Sequence, residues 1–519
     1  MQYLCLLILG VVHGLRILHT NDIHSHYDES NVDGMDCTKE QVETKACYGG
    51  LARLKSAIDA SRLKEPDSLL LDAGDQFQGT QFYGHYLGNL TWEAMNLLRY
   101  DVMAVGNHEF DDGSDNLARV AQHFAFPLVS SNINASQHPQ LKKLIHNLVE
   151  LPKHQIAVVG YITEKTASIG TLGKLTLKDT LTSVQAAVDQ AKSKGYSRII
   201  ALSHAGYKQD IELASKLNGL ALIVGGHSHS YLAPKERATM NAPPSQGLYP
   251  TPVKDKAGKM VYVVQAYCWS RFLGQIDIKF GNDGYLTSIT GAPIDLDSSV
   301  TKDVGVERLV KKWRAPFDAY SKKEIGIAKD EFDRQSCHKS ECTLGNLITD
   351  AMLAYREAEI AILNSGDIRY HIPKGHVTVY NALTALPYNS EVVEISLTGK
   401  QIWLLLEGVV SRLSPINNAK VTSFIQVSHL HFTYNTSRPT HDKLISVQIL
   451  KNNKYSPLSN TTRYSLLTTN FIANNGNNIL PQITPPPQQL KSLSGVLIDY
   501  FKTNSPLTPQ PLSRIFKLQ

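Results

Sequence analysis

Five short apolar runs in the first half of the chain each stop on residues able to ligate a divalent cation. The runs lie at 16–20, 68–71, 102–105, 198–202 and 221–224 and are rich in Leu, Ile and Val. Their length and composition are those of buried strands rather than helices. They are followed, in order, by Asn21-Asp22-Ile23-His24, Asp72-Ala73-Gly74-Asp75, Gly106-Asn107-His108-Glu109-Phe110-Asp111, Ser203-His204 and Gly225-Gly226-His227-Ser228-His229. Further runs at 128–131, 156–160 and 261–265, with helical segments between them, predict an α/β domain. Sheets of that class build their sites from the loops beyond the C-terminal ends of strands. The pattern asks for a fold that gathers five such loops at one edge.

Each group alone has an ordinary explanation. Asp72 can cap its turn, His26 can be a solvated loop residue, and a histidine placed like His204 is more often a satisfied core residue than a ligand. Taken together, Asp, His and Asn on five strand ends suit a pair of divalent ions rather than one structural zinc. His108 then has a separate part. A histidine that binds no metal can move a proton, and Asp111, three residues on, can hold it in one tautomer.

Residues 1–14 (MQYLCLLILGVVHG) are apolar, carry no acid and are too short to span a bilayer, so they read as a secretory signal peptide. The sequons at Asn89, Asn134, Asn435 and Asn460 fit an exported, extracellular glycoprotein. Cys37 with Cys47 and Cys337 with Cys342 read as local disulfides, which leaves Cys268 as a buried free thiol. No later segment is long and apolar enough to span a membrane, and residues 513–519 form no hydrophobic tail, so no membrane anchor is expected. The net charge of +5 is spread without a basic run, which argues against a nucleic-acid partner. A chain of 519 residues with 42% apolar content predicts two to three domains. Val306, Leu309, Val310, Trp313, Phe317 and Tyr320 recur at helical spacing over 304–323.

The order Asp22-x-His24, Gly74-Asp75, Gly106-Asn107-His108-Glu109, His204, Gly225-Gly226-His227-x-His229 resembles the calcineurin-like metallophosphoesterases. Leu71-Asp-Ala-Gly-Asp-Gln-Phe-Gln-Gly-Thr80, Val105-Gly-Asn-His-Glu-Phe-Asp111 and Val263-Val-Gln-Ala-Tyr267 are similar to signatures of the 5'-nucleotidase and apyrase family. The resemblance implies a four-layered metallophosphoesterase domain, two sheets flanked by helices, over 15–303. It further implies a linker helix at 304–323 and a C-terminal α+β nucleotide-binding domain over 324–519. Asp22, His24 and His229 are then expected to hold one ion and Asn107, His204 and His227 the other, with Asp75 bridging and His108 and Asp111 catalytic. His229 stands where family members usually carry Gln or Asn. Imidazole ligands favour zinc, with magnesium, manganese or calcium as alternatives.

In the C-terminal half the resemblance puts Asn364 and Arg369 on the nucleotide and the base between Tyr388 and Phe471, a stacking that tolerates different bases. In this pocket the chain departs from the family. His338 replaces an Arg that contacts substrate, and Asn477 replaces a ribose-binding carboxylate. With Asp367 added nearby, a less cationic pocket is expected.

Three functions stay open. The first is a secreted 5'-nucleotidase converting AMP to adenosine and phosphate. The second is an apyrase degrading ATP and ADP, of the salivary kind that suppresses platelet aggregation. The third is a non-catalytic secreted protein that binds nucleotides or a receptor. The complete metal set argues against this last reading.

Overall fold

The expected strand at 16–20 forms as Leu15–Thr20 and lies inside a mixed sheet, parallel to Leu69–Asp72 and antiparallel to Phe272–Phe280. The computed structural model describes residues 14–235, 242–485 and 487–518. The expected signal segment, 1–14, lies outside the described residues apart from Gly14. The chain divides into two compact units, one holding the chain through Phe77, Leu87–Thr166 and Leu172–Lys311, the other Gln78–Tyr86, Ala167–Thr171 and the chain from Lys312 onward.

The first unit carries an eight-stranded and a six-stranded sheet. In the larger one the strands run in the order Leu286–Gly291, Phe272–Phe280, Leu15–Thr20, Leu69–Asp72, Val102–Ala104, Leu128–Val129, Ile145–His146, with Ile294–Asp295 paired off Phe272–Phe280. The smaller runs Thr251–Lys254, Met260–Val264, Leu222–Gly225, Arg198–His204, Ile156–Ile162, Leu148–Leu151. Within each sheet the site-bearing strands are mutually parallel, so their C-terminal loops leave from one edge. Parallel neighbours need long crossovers, and the helices Leu51–Lys64, Thr180–Ser193 and Tyr207–Lys216 fall between them in the chain.

One shared core lies between the sheets, with Ile17, Leu71 and Ala104 from the larger meeting Val158, Ile200 and Val224 from the smaller. On the far side of the smaller sheet, Val184, Val188 and Leu213 of two helices close a second core. Leu18, Leu70 and Met103 alternate to the far side of the larger sheet, where they are fully buried, as are Leu54 and Ile58 of Leu51–Lys64. The result is four layers. Burial on both faces is why these strands read as unbroken apolar runs, each large side chain contributing roughly 1.5–3 kcal/mol over exposure.

The second unit is α+β. A five-stranded sheet runs Ile425–Ser428, Ile360–Asn364, Arg463–Thr469, Glu391–Thr398, Gln489–Ser492. Leu344, Ile348 and Met352 of Thr343–Tyr355 pack with Leu497 and Phe501 of Leu493–Asn504 in one core, and Ile402, Leu405 and Val409 of Gly399–Ser411 in another. The helix Val304–Ser321 begins where Asp303 Oδ1 accepts the Val306 amide, and it buries Val306, Val310 and Phe317. Disulfides join Cys37 to Cys47 and Cys337 to Cys342, and Cys268 is buried and free. Among the sequon residues Asn89 and Asn460 are exposed and Asn134 and Asn435 half-buried. Among the described residues no helix is long and apolar enough to cross a membrane.

Candidate active site

The loops at the strand ends hold one another by their main chains. Asp22 N–H donates to Gly74 O at 2.9 Å and His24 N–H to Asp75 O at 3.0 Å. The His227 amide donates to both carboxylate oxygens of Asp22, at 3.1 and 2.9 Å, which ties the loop of one sheet to that of the other. Asp22, His24, Asp75, His227 and His229 all take left-handed backbone angles, with φ of 51°, 51°, 57°, 72° and 49°. Such conformations cost on the order of 1–3 kcal/mol each for residues other than Gly and gather at functional sites.

These bends bring all seven expected ligands together. Asp22 Oδ1 lies 3.3 Å from His229 Nε2, 3.8 Å from His24 Nε2 and 3.9 Å from His204 Nε2. Asp75 Oδ2 lies 2.9 Å from His204 Nε2 and 3.8 Å from His24 Nε2. His227 Nδ1 and Asn107 Oδ1 converge at 2.8 Å. Among the described residues the ligand atoms form three overlapping groups, Asp22 with His24 and His229, His24 with Asp75 and His108, and Asp75 with His204 and His227.

The donor chemistry fits divalent ions. His204 Nδ1 lies 2.7 Å from Ala73 O and His24 Nδ1 3.2 Å from Phe77 O. A carbonyl can only accept, so Nδ1 is protonated in both rings and Nε2 is the nitrogen turned into the site. His204 Nε2 is buried and, although close to Asp75, finds no hydrogen-bond partner. Burial opposes charge on His204, yet the carboxylates of Asp75 and Asp22 outweigh it and raise its pKa to about 10. Burial also works against the Asp75 carboxylate, while His204, His108 and His24 hold it well below the usual range.

Beside these groups, His108 Nδ1 and Asp111 Oδ2 are 2.6 Å apart across the short turn His108–Phe110. The His108 amide donates to Asp75 Oδ1 at 2.8 Å, so Oδ2 is the oxygen left facing His24 and His204. Burial lowers the His108 pKa, but Asp111 and Asp75 prevail and bring it to about 9.

Two ambiguous residues resolve as structural. Asp72 accepts from Thr20 Oγ1, Gln76 Nε2 and the Gly74 amide at 2.6, 2.7 and 3.0 Å, and burial raises its pKa to about 8. His26 is buried with Nδ1 on Ile23 O and His24 O and Nε2 on Gly34 O, so neither nitrogen is available to an ion. Asn21 was missed by the sequence reading. Its side chain takes the Ala266 amide at 2.9 Å and gives to Tyr267 O at 2.6 Å, pinning the segment that carries Cys268 beside His229.

In the second unit, Asn364 is buried and donates to Asp367 Oδ1 at 3.1 Å. Arg369 lies 5.8 Å above the Tyr388 ring, and Phe471 packs so closely on Gly476 that a Cβ there would sit 2.4 Å from its ring. Asn477 Oδ1 accepts from Thr422 Oγ1 at 2.7 Å. Beside His338 stands a cation that the expected pocket did not include, Arg334. Its Nη2 donates to His338 Nε2 at 3.0 Å and its Nε to Ile368 O at 3.3 Å, while Arg412 donates to His338 O at 3.3 Å. Burial, then the charges of Arg334, Arg369 and Arg412, lower the His338 pKa, so the imidazole is neutral and accepts. Burial raises the Asp367 pKa to about 7, against the Asn364 hydrogen bond and the Arg369 charge. Arg334 lies four residues from its partner and carries no motif of its own, so only the folded loop reveals it.

Residues 15–231 match the calcineurin-like phosphoesterase family and residues 321–483 the 5'-nucleotidase C-terminal domain. Human (Homo sapiens) 5'-nucleotidase is 35% identical over 488 residues, covering 89% of this chain and 83% of its own. The snake venom 5'-nucleotidase of Crotalus adamanteus is 31% identical over 492 residues, covering 89% of this chain and 81% of its own. The crystal structure of a 5'-nucleotidase precursor from Thermus thermophilus superposes with a TM-score of 0.78 at 32% identity, over 98% of this chain and 99% of that one.

Proposed function

The chain belongs to the 5'-nucleotidase family of calcineurin-like phosphoesterases and is a metal-dependent phosphoester hydrolase, and from that premise we propose that it releases the 5'-phosphate of AMP outside the cell. The observation that carries the reading is Asp75, whose Oδ2 lies 2.9 Å from His204 Nε2 and 3.8 Å from His24 Nε2, one expected ligand of each ion, beside the His108–Asp111 pair. In this reading Asp22, His24 and His229 hold one divalent ion, Asn107, His204 and His227 the second, and Asp75 both. Two such ions supply Lewis acidity toward a phosphoryl oxygen and lower the pKa of water. Four imidazoles in the set favour zinc over magnesium, calcium or manganese.

His108 is the proton carrier. Asp111 accepts at Nδ1, which leaves Nε2–H to meet charge on the phosphoryl oxygens or to protonate the departing 5'-oxygen. The nucleoside is held by the domain over 324–519, joined through the helix near 304–323 to the catalytic domain over 15–303. There Tyr388 and Phe471 stack on the base and Asn364, Arg369, His338 and Asn477 face the rest of the nucleotide. Export is supported by the two disulfides and by the venom relative, and it would allow glycans at Asn89, Asn134, Asn435 and Asn460.

One observation favours hydrolysis of ADP and ATP instead. Arg334, Arg369 and Arg412 gather about a neutral His338, with Asp333 and the buried Asp367 as the carboxylates that act on the first two. Such a cluster suits a phosphate chain of higher charge. Phosphate release from AMP, ADP and ATP, measured with chelator and after restoring zinc, magnesium, manganese or calcium, separates the readings. AMP turnover restored by zinc is expected; release confined to ADP and ATP would make the enzyme an apyrase, and no release from any of them would leave a binding protein.

A further inference from the structure

We infer that Glu109 is a positioning residue of the metal centre: its buried carboxylate binds the main chains of the loops bearing Asp75 and Asn107 into one piece. The side chain is fully buried. Oε1 accepts the amides of Gln76 and Phe77 at 2.8 and 3.1 Å, and Oε2 those of Asp75 and Gly106 at 3.0 and 2.6 Å. A carboxylate offers about four lone-pair sites, so its accepting capacity is spent on these four main-chain donors. Among the described residues no Lys, Arg or His pairs with it, unlike Glu29, which Arg53 and Lys302 neutralise.

The consequences reach the ligands through the backbone. Three of the four amides belong to the loop in which Asp75 adopts φ of 57°, and the fourth precedes Asn107 directly. The two loops are in contact, since a Cβ on Gly106 would lie 2.2 Å from Asp75 Oδ1 and 2.7 Å from Glu109 Oε2. The His108 amide then selects Asp75 Oδ1, which leaves Oδ2 for the ions. Without the carboxylate, four buried N–H groups lose their acceptor, and the loops must part to find water or another partner. Parting them separates the bridging ligand from Asn107.

The inference rests on the reading of Asp75 and Asn107 as ligands. In Glu109→Gln an amide NH2 replaces one acceptor oxygen and faces N–H groups. The test uses the full chain, stripped with chelator and titrated with zinc against a chromophoric competitor, with amide hydrogen exchange followed at 75–77 and 106. Expected are a roughly ten- to hundredfold weaker zinc affinity and faster exchange at those amides. Ile58→Ala, in the buried face of Leu51–Lys64, serves as a destabilised control that should keep wild-type affinity. Wild-type affinity in Glu109→Gln, or a loss no greater than in Ile58→Ala, overturns the inference. Should Glu109→Gln fail to fold, Glu109→Asp decides: it keeps the carboxylate one methylene short, so an intermediate loss supports the inference and no loss overturns it. Failure of the wild-type chain to bind two zinc ions would instead sink the metal reading itself.

Discussion

His204 presents Nε2 to Asp75 Oδ2 at 2.9 Å while its Nδ1 meets the Ala73 carbonyl at 2.7 Å. Ala73 lies two residues before Asp75, so one loop both sets the tautomer of the histidine and supplies the carboxylate it faces. The strand carrying His204 belongs to the smaller sheet and that loop to the larger. Their meeting joins the sheets at the chemical centre.

Asp75→Asn removes the charge that faces both His24 and His204 while leaving an oxygen for the His108 amide. Bound metal should fall from two ions to one or fewer per chain, with a loss of at least about a hundredfold in kcat. Metal analysis after gel filtration, alongside kcat, checks this; two retained ions would mean that Asp75 does not bridge.

His108→Ala should cost roughly 2–4 kcal/mol of transition-state stabilisation while leaving the metal content at its wild-type value. The separation distinguishes a proton carrier from a ligand. Steady-state kinetics paired with metal analysis tests it, and near-normal turnover would remove His108 from the mechanism.

His19 makes an acid-stability prediction away from the metals. It is fully buried, with Nε2 2.8 Å from the Tyr249 hydroxyl, and burial lowers its pKa from 6.5 to about 3. Between those values the unfolded chain binds a proton that the folded chain refuses. Folding stability should therefore fall as pH drops below 6.5, by up to about 1.4 kcal/mol per pH unit from this group. His19→Gln should flatten the acid limb of Tm against pH, and an unchanged slope would refute the assignment.

Arg334→Ala should raise KM for ADP and ATP by roughly tenfold or more, with a smaller effect on AMP, if the three guanidinium groups read a long phosphate chain. Arg438→Ala, at an exposed pair with Asp442, is the matched control. Equal effects on all three nucleotides would point to general attraction of anions.

Much of this protein is legible in its residues because strand formation depends on neighbours in sequence. Apolar runs such as Arg198–His204 must be buried, and their alternation with helices leads to parallel sheets and to a row of loops carrying Asp, His and Asn. The motif order pointed to the family by the same local logic. The geometry of the loops was not legible. His24 and His26 are two residues apart and chemically alike, yet one turns Nε2 into the site and the other spends both nitrogens on carbonyls, because contacts from Phe77 and Gly34 orient the rings.

The sequence by itself determined which strands form, which residue types stand at their ends and that metal chemistry is available there, since each follows from composition over a few consecutive positions. Only the tertiary structure decided which atoms meet. The left-handed turns at Asp22, His24, Asp75, His227 and His229 are held by hydrogen bonds between loops far apart in sequence. Glu109 gains the amides of Asp75, Gln76 and Phe77 in the same way. Buried polar groups must find partners wherever the packed sheets and loops place them, and no local propensity encodes that.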